Sequence, residues 1–192
     1  MKQMMLLMFL FLASLVNAQD KASLKGVDEL TFFGVDFSMA KVYGADETTG
    51  QFKDAFYGIN TLFQREPKKY DVAKAFDATV TTNIEPALNL IEQIKREGFV
   101  AENSSYALTN EEIETHIRQF NTGDATGYGA VLIAGLLDKS VNRGTFNVVV
   151  FDIASKKIIF DKAFTEKAAG FGLRNYWARS VYNTLSKMRK MK

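Results

Sequence analysis

The 192-residue sequence contains no cysteine, two prolines and a single histidine. Without cysteine there is no disulfide, no thiolate nucleophile and no sulfur ligand for a metal centre. The same absence excludes lipidation of the bacterial lipoprotein kind, which needs a cysteine directly after the leader. One histidine with no thiol partner does not assemble a typical zinc site. An excess of one charge sign is also missing: 24 Lys and Arg face 22 Asp and Glu. A net charge of +2 gives no broad field for nucleic acid. The local exception is the basic end from Lys187 to Lys192, best read as a match to the negative end of a C-terminal helix. Beyond the first sixteen residues no apolar run approaches a membrane span, and Val131–Leu137 is far too short. There is no internal repeat, low-complexity linker or shift in charge to mark a second domain.

What is present begins with a leader. Lys2 precedes an apolar run from Met4 to Val16, and Val16-Asn17-Ala18 offers the small residues that a signal peptidase reads. The run is shorter than the roughly 20 residues a membrane helix needs, so residues 1–18 are expected to be a signal peptide cleaved before Gln19, not a retained anchor. The mature chain is then expected to be a soluble protein of the periplasm or the extracellular space. Residues 19–27 are polar and expected to be flexible, and residues 28–192 to form one domain. That domain is long enough to bury a core without disulfides.

Within it, Leu30–Met39 alternates as a strand, with Phe33, Val35, Phe37 and Met39 on one face and Leu30 and Phe32 on the other. Phe52, Phe56, Ile59 and Phe63 recur at helical spacing before Pro67. Asp77–Thr82 is a short β-branched segment. Asn83 and Pro86 open a second helix carrying Ile84, Leu88, Ile91 and Ile94. Thr109-Asn-Glu-Glu112 is a capping box, with Leu108 and Ile113 placed as a staple and Ile113, Ile117 and Phe120 as the buried face. Three strands follow, at Gly127–Leu137, Thr145–Ile153 and Lys157–Phe164, joined by short links that imply an antiparallel meander. A last helix carries Leu173, Trp177, Val181, Leu185 and Met188 on one side. The expected fold class is α/β (α+β): a mixed sheet of about four to five strands with helices packed on it.

Catalytic patterns are scarce. His116 lies between Ile113 and Ile117 and reads as a packed or solvated helix residue, since no Gly-x-Ser-x-Gly elbow accompanies it. Asp36, Asp138, Asp152 and Asp161 sit at or near strands, where a pair could serve glycoside hydrolysis if held at a set separation; edge solvation is the plainer account. Gly123–Gly129 lacks the Lys-Ser/Thr ending of a phosphate loop, and Gly170-Phe-Gly172 lacks the third glycine of a dinucleotide fingerprint. No cofactor or metal site is therefore expected. The candidate contact surface is Phe171, Arg174, Asn175, Tyr176 and Arg179, because Trp, Tyr and Arg dominate binding hot spots. The competing account buries Trp177, half-covers Tyr176 and merely solvates the arginines.

The last third carries a resemblance. Gly129-Ala-Val-Leu-Ile-Ala-Gly135 followed by Asn147–Phe160, a strand ending in Asp, a turn, Lys and an apolar strand, is similar to the N-terminal domain of the translocation protein TolB and to the lipoprotein activators of penicillin-binding proteins. Gly170–Tyr182 resembles a family of secreted proteins of Gram-negative bacteria. The resemblance implies an accessory protein that binds a partner in the cell envelope. The classes set against it are a carboxylate-based hydrolase of cell-wall or glycan material and a periplasmic carrier of a small ligand.

Overall fold

The computed structural model describes residues 24–191; the expected leader and its expected cleavage before Gln19 lie outside the described residues. The first strand, β1 (Glu29–Asp36), is followed after residues 37–40 by β2 (Lys41–Tyr43), running in the same direction. Both lie parallel to one side of β4 (Tyr128–Asp138), β1 beside Gly129–Ile133 and β2 beside Leu136–Asp138. On the far side of β1, β3 (Thr79–Thr82) pairs in parallel as a short edge. Beyond β4, β5 (Arg143–Asp152) and β6 (Ile158–Lys167) continue antiparallel. The order is β3-β1-β4-β5-β6, with β2 beside β4. The mixed sheet and its antiparallel meander agree with expectation. The count rises from the expected four or five strands to six because β2 forms separately after the first strand.

Among the described residues five helices cover the sheet: α1 (Thr49–Arg65), α2 (Val72–Phe76), α3 (Glu85–Glu92), α4 (Asn110–Gln119) and α5 (Leu173–Lys190). Alternating side chains give the sheet two apolar faces, and each face has its own core. One holds Phe32, Val35, Phe37, Val148, Val150 and Phe160 against α1 and α5, which contribute Phe56, Ile59, Trp177 and Val181. There the Phe37 and Phe56 rings stack 3.8 Å apart. The other holds Phe33, Val131, Ile133, Val149 and Phe151 against Ile113, Ile117 and Phe120 of α4. Leu24 and Val27, within the stretch expected to be flexible, are buried in the first core, so packing begins four residues before the expected boundary.

The α4 box forms as its sequence dictates. Thr109 Oγ1 accepts from the Glu112 N–H at 3.2 Å, and Glu112 Oε2 accepts from the Thr109 N–H at 2.8 Å. The Thr109 backbone and hydroxyl hold the Glu112 carboxyl below its ordinary value. A carboxyl with a lowered folded pKa stabilises the fold above its unfolded pKa and loses that contribution as pH falls through the folded one. Thr109→Ala therefore costs about 1 kcal/mol near neutral pH. Thermal melts should show the gap between variant and parent narrowing as pH falls through the lowered pKa of Glu112.

One departure from simple alternation organises the centre of the molecule. The register between β1 and β4 shifts between Phe32 and Val35, and Gly34 there has φ +85°. A left-handed residue inside a strand makes a bulge and turns the following side chains over. Phe33 therefore faces α4, while Val35 and Phe37, expected beside it, join the opposite core. Asn60 of α1, fully buried, occupies the gap: its Oδ1 accepts from the Val35 N–H at 2.8 Å and its Nδ2 donates to the Val35 carbonyl at 2.9 Å. The side chain thus replaces backbone partners for one residue of the strand. A second shift, between Val150 and Phe151, places Ile158 with the α4 cluster and leaves Phe160 and Phe164 in the main core, whereas unbroken alternation along Lys157–Phe164 would put all three on one face.

Candidate binding surface and the Asp36–His116 cleft

At the start of α5 the chain makes a tight approach through Gly170 (φ +131°) and Gly172 (φ +77°), angles that side-chain-bearing residues rarely adopt. Between them stands Phe171, 96% exposed, the most exposed large apolar residue among those described. It is not presented on a loose loop. Asn175 Nδ2 donates to the Phe171 carbonyl at 3.1 Å, and Asn175 Oδ1 accepts from Arg174 Nε and Nη2 at 3.1 and 3.0 Å. The Arg174 stem runs over Gly58 of α1, where a Cβ would come within 2.6 Å of its Cδ. Phe171, Arg174 and Asn175 are thus one hydrogen-bonded unit.

Tyr176 turns away from that unit. Half-buried, it packs edge-on against Trp177 with ring centres 4.8 Å apart and donates its hydroxyl proton to Asn142 Oδ1 at 2.6 Å. Burial pushes its phenol up from the ordinary value. Asn142 also accepts from the Ala168 N–H through its carbonyl at 2.8 Å, so the β4–β5 turn is fastened to the approach to α5. That turn carries Val141, 58% exposed, a residue that no local pattern marks out. Arg179 lies further along α5, exposed, with its guanidinium 5.7 Å from the Tyr182 ring centre. Trp177 and Val181 are fully buried.

The four strand carboxylates disperse. Asp138 Oδ1 accepts from the Ser140 N–H and hydroxyl at 2.9 and 2.6 Å, and Asp152 Oδ1 from those of Ser155 at 2.8 and 2.6 Å. These are turn-building bonds at opposite ends of the β4–β5 pair, about 33 Å apart by strand rise. Asp161 accepts from Asn147 Nδ2 at 2.9 Å, and burial pushes its carboxyl up, an effect the Asn147 bond only partly offsets. Asp36 and Asp161 are three strand spacings apart, about 14 Å. No two of the four occupy neighbouring register positions, so they do not form the closely facing pair that glycoside hydrolysis uses.

Asp36 has a different partner. The Gly34 bulge points it toward α4, where it is completely buried and its Oδ2 lies 2.5 Å from His116 Nε2. Its Oδ1 accepts from the Ser38 N–H at 2.8 Å. Asp36 therefore holds the imidazole through Nε2, leaving Nδ1 as the ring's other hydrogen-bonding atom. The Phe120 ring lies edge-on 6.0 Å from the imidazole, and Lys156 anchors that end of α4 by donating to the Phe120 carbonyl at 2.9 Å. The His116 side chain is 17% exposed and lines two adjoining clefts of about 520 and 370 Å³. Read alone, His116 gave no sign of this: its partner is eighty residues away and faces it only because of the bulge.

Among the described residues no group of three or more His, Asp or Glu side chains is placed to hold a metal ion, and no helix is long and apolar enough to cross a membrane. Compared with protein-family models, with curated proteins and with solved structures, the chain matches none.

Proposed function

We infer that this chain is an exported accessory or binding protein of the cell envelope, acting by contact with another envelope protein and not by catalysis. The observation that carries this reading is Phe171: a nearly fully exposed aromatic ring whose backbone is fixed by hydrogen bonds and flanked by Arg174. Exposing an aromatic ring to water is unfavourable, and fixing it in place costs conformational freedom. An exposed aromatic on a held backbone beside an arginine is the composition of an interface hot spot, with the backbone share of its ordering cost already met. Val141 extends the same end of the molecule as a second exposed apolar group. The leader expected over residues 1–18 and the resemblance of the last third to envelope accessory proteins support the compartment and the class of partner.

The test is a crosslinking pull-down of the mature protein from intact envelope, comparing the parent with Phe171→Ser/Arg174→Ala. A discrete envelope protein should be recovered with the parent and fall at least about tenfold with the double variant. Both substitutions are at exposed positions, so the melting temperature should stay within about 2 °C. Equal recovery with both proteins contradicts the reading.

A further inference from the structure

The path of the chain marks one place in the sheet. From β1 the chain passes through α1 and α2 to β3 on one side; from β3 it returns past β1, through α3 and α4, to β4 on the other. α1 covers one face and α4 the other, while α3 packs beside α1 in the first core through Ile91 and turns Leu90 toward the α4 side. Where connections diverge in this way, a crevice opens outside the carboxyl end of the strand between them, and ligands of open α/β sheets bind there. Here that strand is β1, its last residue is Asp36, and the crevice is the 520 Å³ cleft between α3 and α4. Its volume falls within the range of small-molecule sites.

Its chemistry is specific. Asn89 and Gln93 of α3 face Gln119 and Asn121 at the end of α4, with His116 between them. No lysine, arginine, aspartate or glutamate lines this cleft, and Met39 and Leu90 give it an apolar patch. Each carboxamide both donates and accepts, as a hydroxyl group does, whereas none can neutralise a charge. A buried carboxylate is also an expensive way to secure a helix, since an apolar pair of similar size is generally no less stable. Asp36 is instead spent on fixing the imidazole at the cleft wall. We propose that this cleft binds a small uncharged saccharide, with His116 Nδ1 hydrogen-bonded to a sugar hydroxyl, the carboxamides bonding neighbouring hydroxyls, and Asp36 as a positioning residue. The site is separate from the Phe171 surface and stands or falls independently of it.

The experiment is an NMR titration of the mature chain with neutral disaccharides: maltose, cellobiose and di-N-acetylchitobiose. At least one should give saturable shifts in the side-chain amide signals of Asn89, Gln93, Gln119 and Asn121 and in the His116 ring. His116→Gln should raise its Kd about tenfold, the loss expected for one hydrogen bond. Because His116→Gln also alters a buried pair, Asn89→Ala serves as the second variant; it is exposed on α3, leaves the Asp36–His116 pair intact and should raise Kd about fivefold without changing the melting temperature. No saturable shift with any of the three sugars, shifts confined to other parts of the molecule, or an unchanged Kd in Asn89→Ala and His116→Gln alike would overturn the proposal. Saturation by a charged peptide in their place would overturn the assigned ligand class.

Discussion

Gly34→Ala lowers the stability of the domain by about 2–6 kcal/mol, the sum of left-handed backbone strain and overpacking. At φ +85° an alanine is strained whatever space surrounds it, and here there is none: its Cβ would lie 2.3 Å from Asn60 Oδ1 and 3.2 Å from the Ile84 side chain. For a chain of this length such a loss moves the melting temperature by roughly 5–20 °C. Asn60→Ala is also costly, about 2–6 kcal/mol, because it leaves both backbone groups of Val35 buried without their partners. The two substitutions together should cost clearly less than their separate costs combined, since removing the Asn60 amide removes the clash that the new methyl group meets. Strict additivity would mean that Asn60 is not what the bulge is built around. The same variants should disturb His116, because the bulge alone turns Asp36 toward α4.

Trp177→Ala should cost about 3–5 kcal/mol in denaturant melts, as a fully buried indole leaves a cavity that a helix packed across a sheet cannot close. Trp177→Phe should cost much less than the lost volume suggests. The indole Nε1 is buried without a hydrogen-bond partner among the described residues, so phenylalanine also removes an unsatisfied donor. Phe171→Ser, six residues earlier, should change stability by no more than about 0.5 kcal/mol. One short stretch thus separates into a residue that holds the fold and a residue that does not. If Trp177→Ala were tolerated as well as Phe171→Ser, the packing of α5 described above would be wrong.

These contrasts also show what a sequence displays and what it hides. The α4 box, the α5 stripe and the β4–β6 meander are written in local spacing, so each stood out from the residues alone. The partition of Leu30–Met39 between faces did not, because strict alternation holds only until a bulge interrupts it; Gly34 inside the strand was the one hint of such a bulge, but a glycine alone does not say where the register shifts. The same cause misplaced Ile158. A three-residue strand such as β2 is too short for a periodicity and exists because β4 and the Phe99–Ala101 backbone bond to it. Of the contact surface, Phe171, Arg174 and Asn175 are joined as a unit, whereas Tyr176 is drawn to Asn142 and Arg179 to Tyr182, links that only the tertiary fold makes. The Asp36–His116 pair was least legible of all, since it depends at once on the bulge, on the placement of α4 and on residues far apart in the chain.

The most direct measurement is site-specific photocrosslinking in intact cells of the native host, with a photoreactive residue at position 171 in one chain and at position 100 in another. Val100 is also exposed, at 64%, but pairs with Val42 of β2 and has no bond to the Phe171–Asn175 unit. A partner-binding role through the Phe171 surface predicts one discrete envelope protein captured from position 171 and none from position 100. Capture of nothing from 171, or the same diffuse set of proteins from both positions, would contradict it.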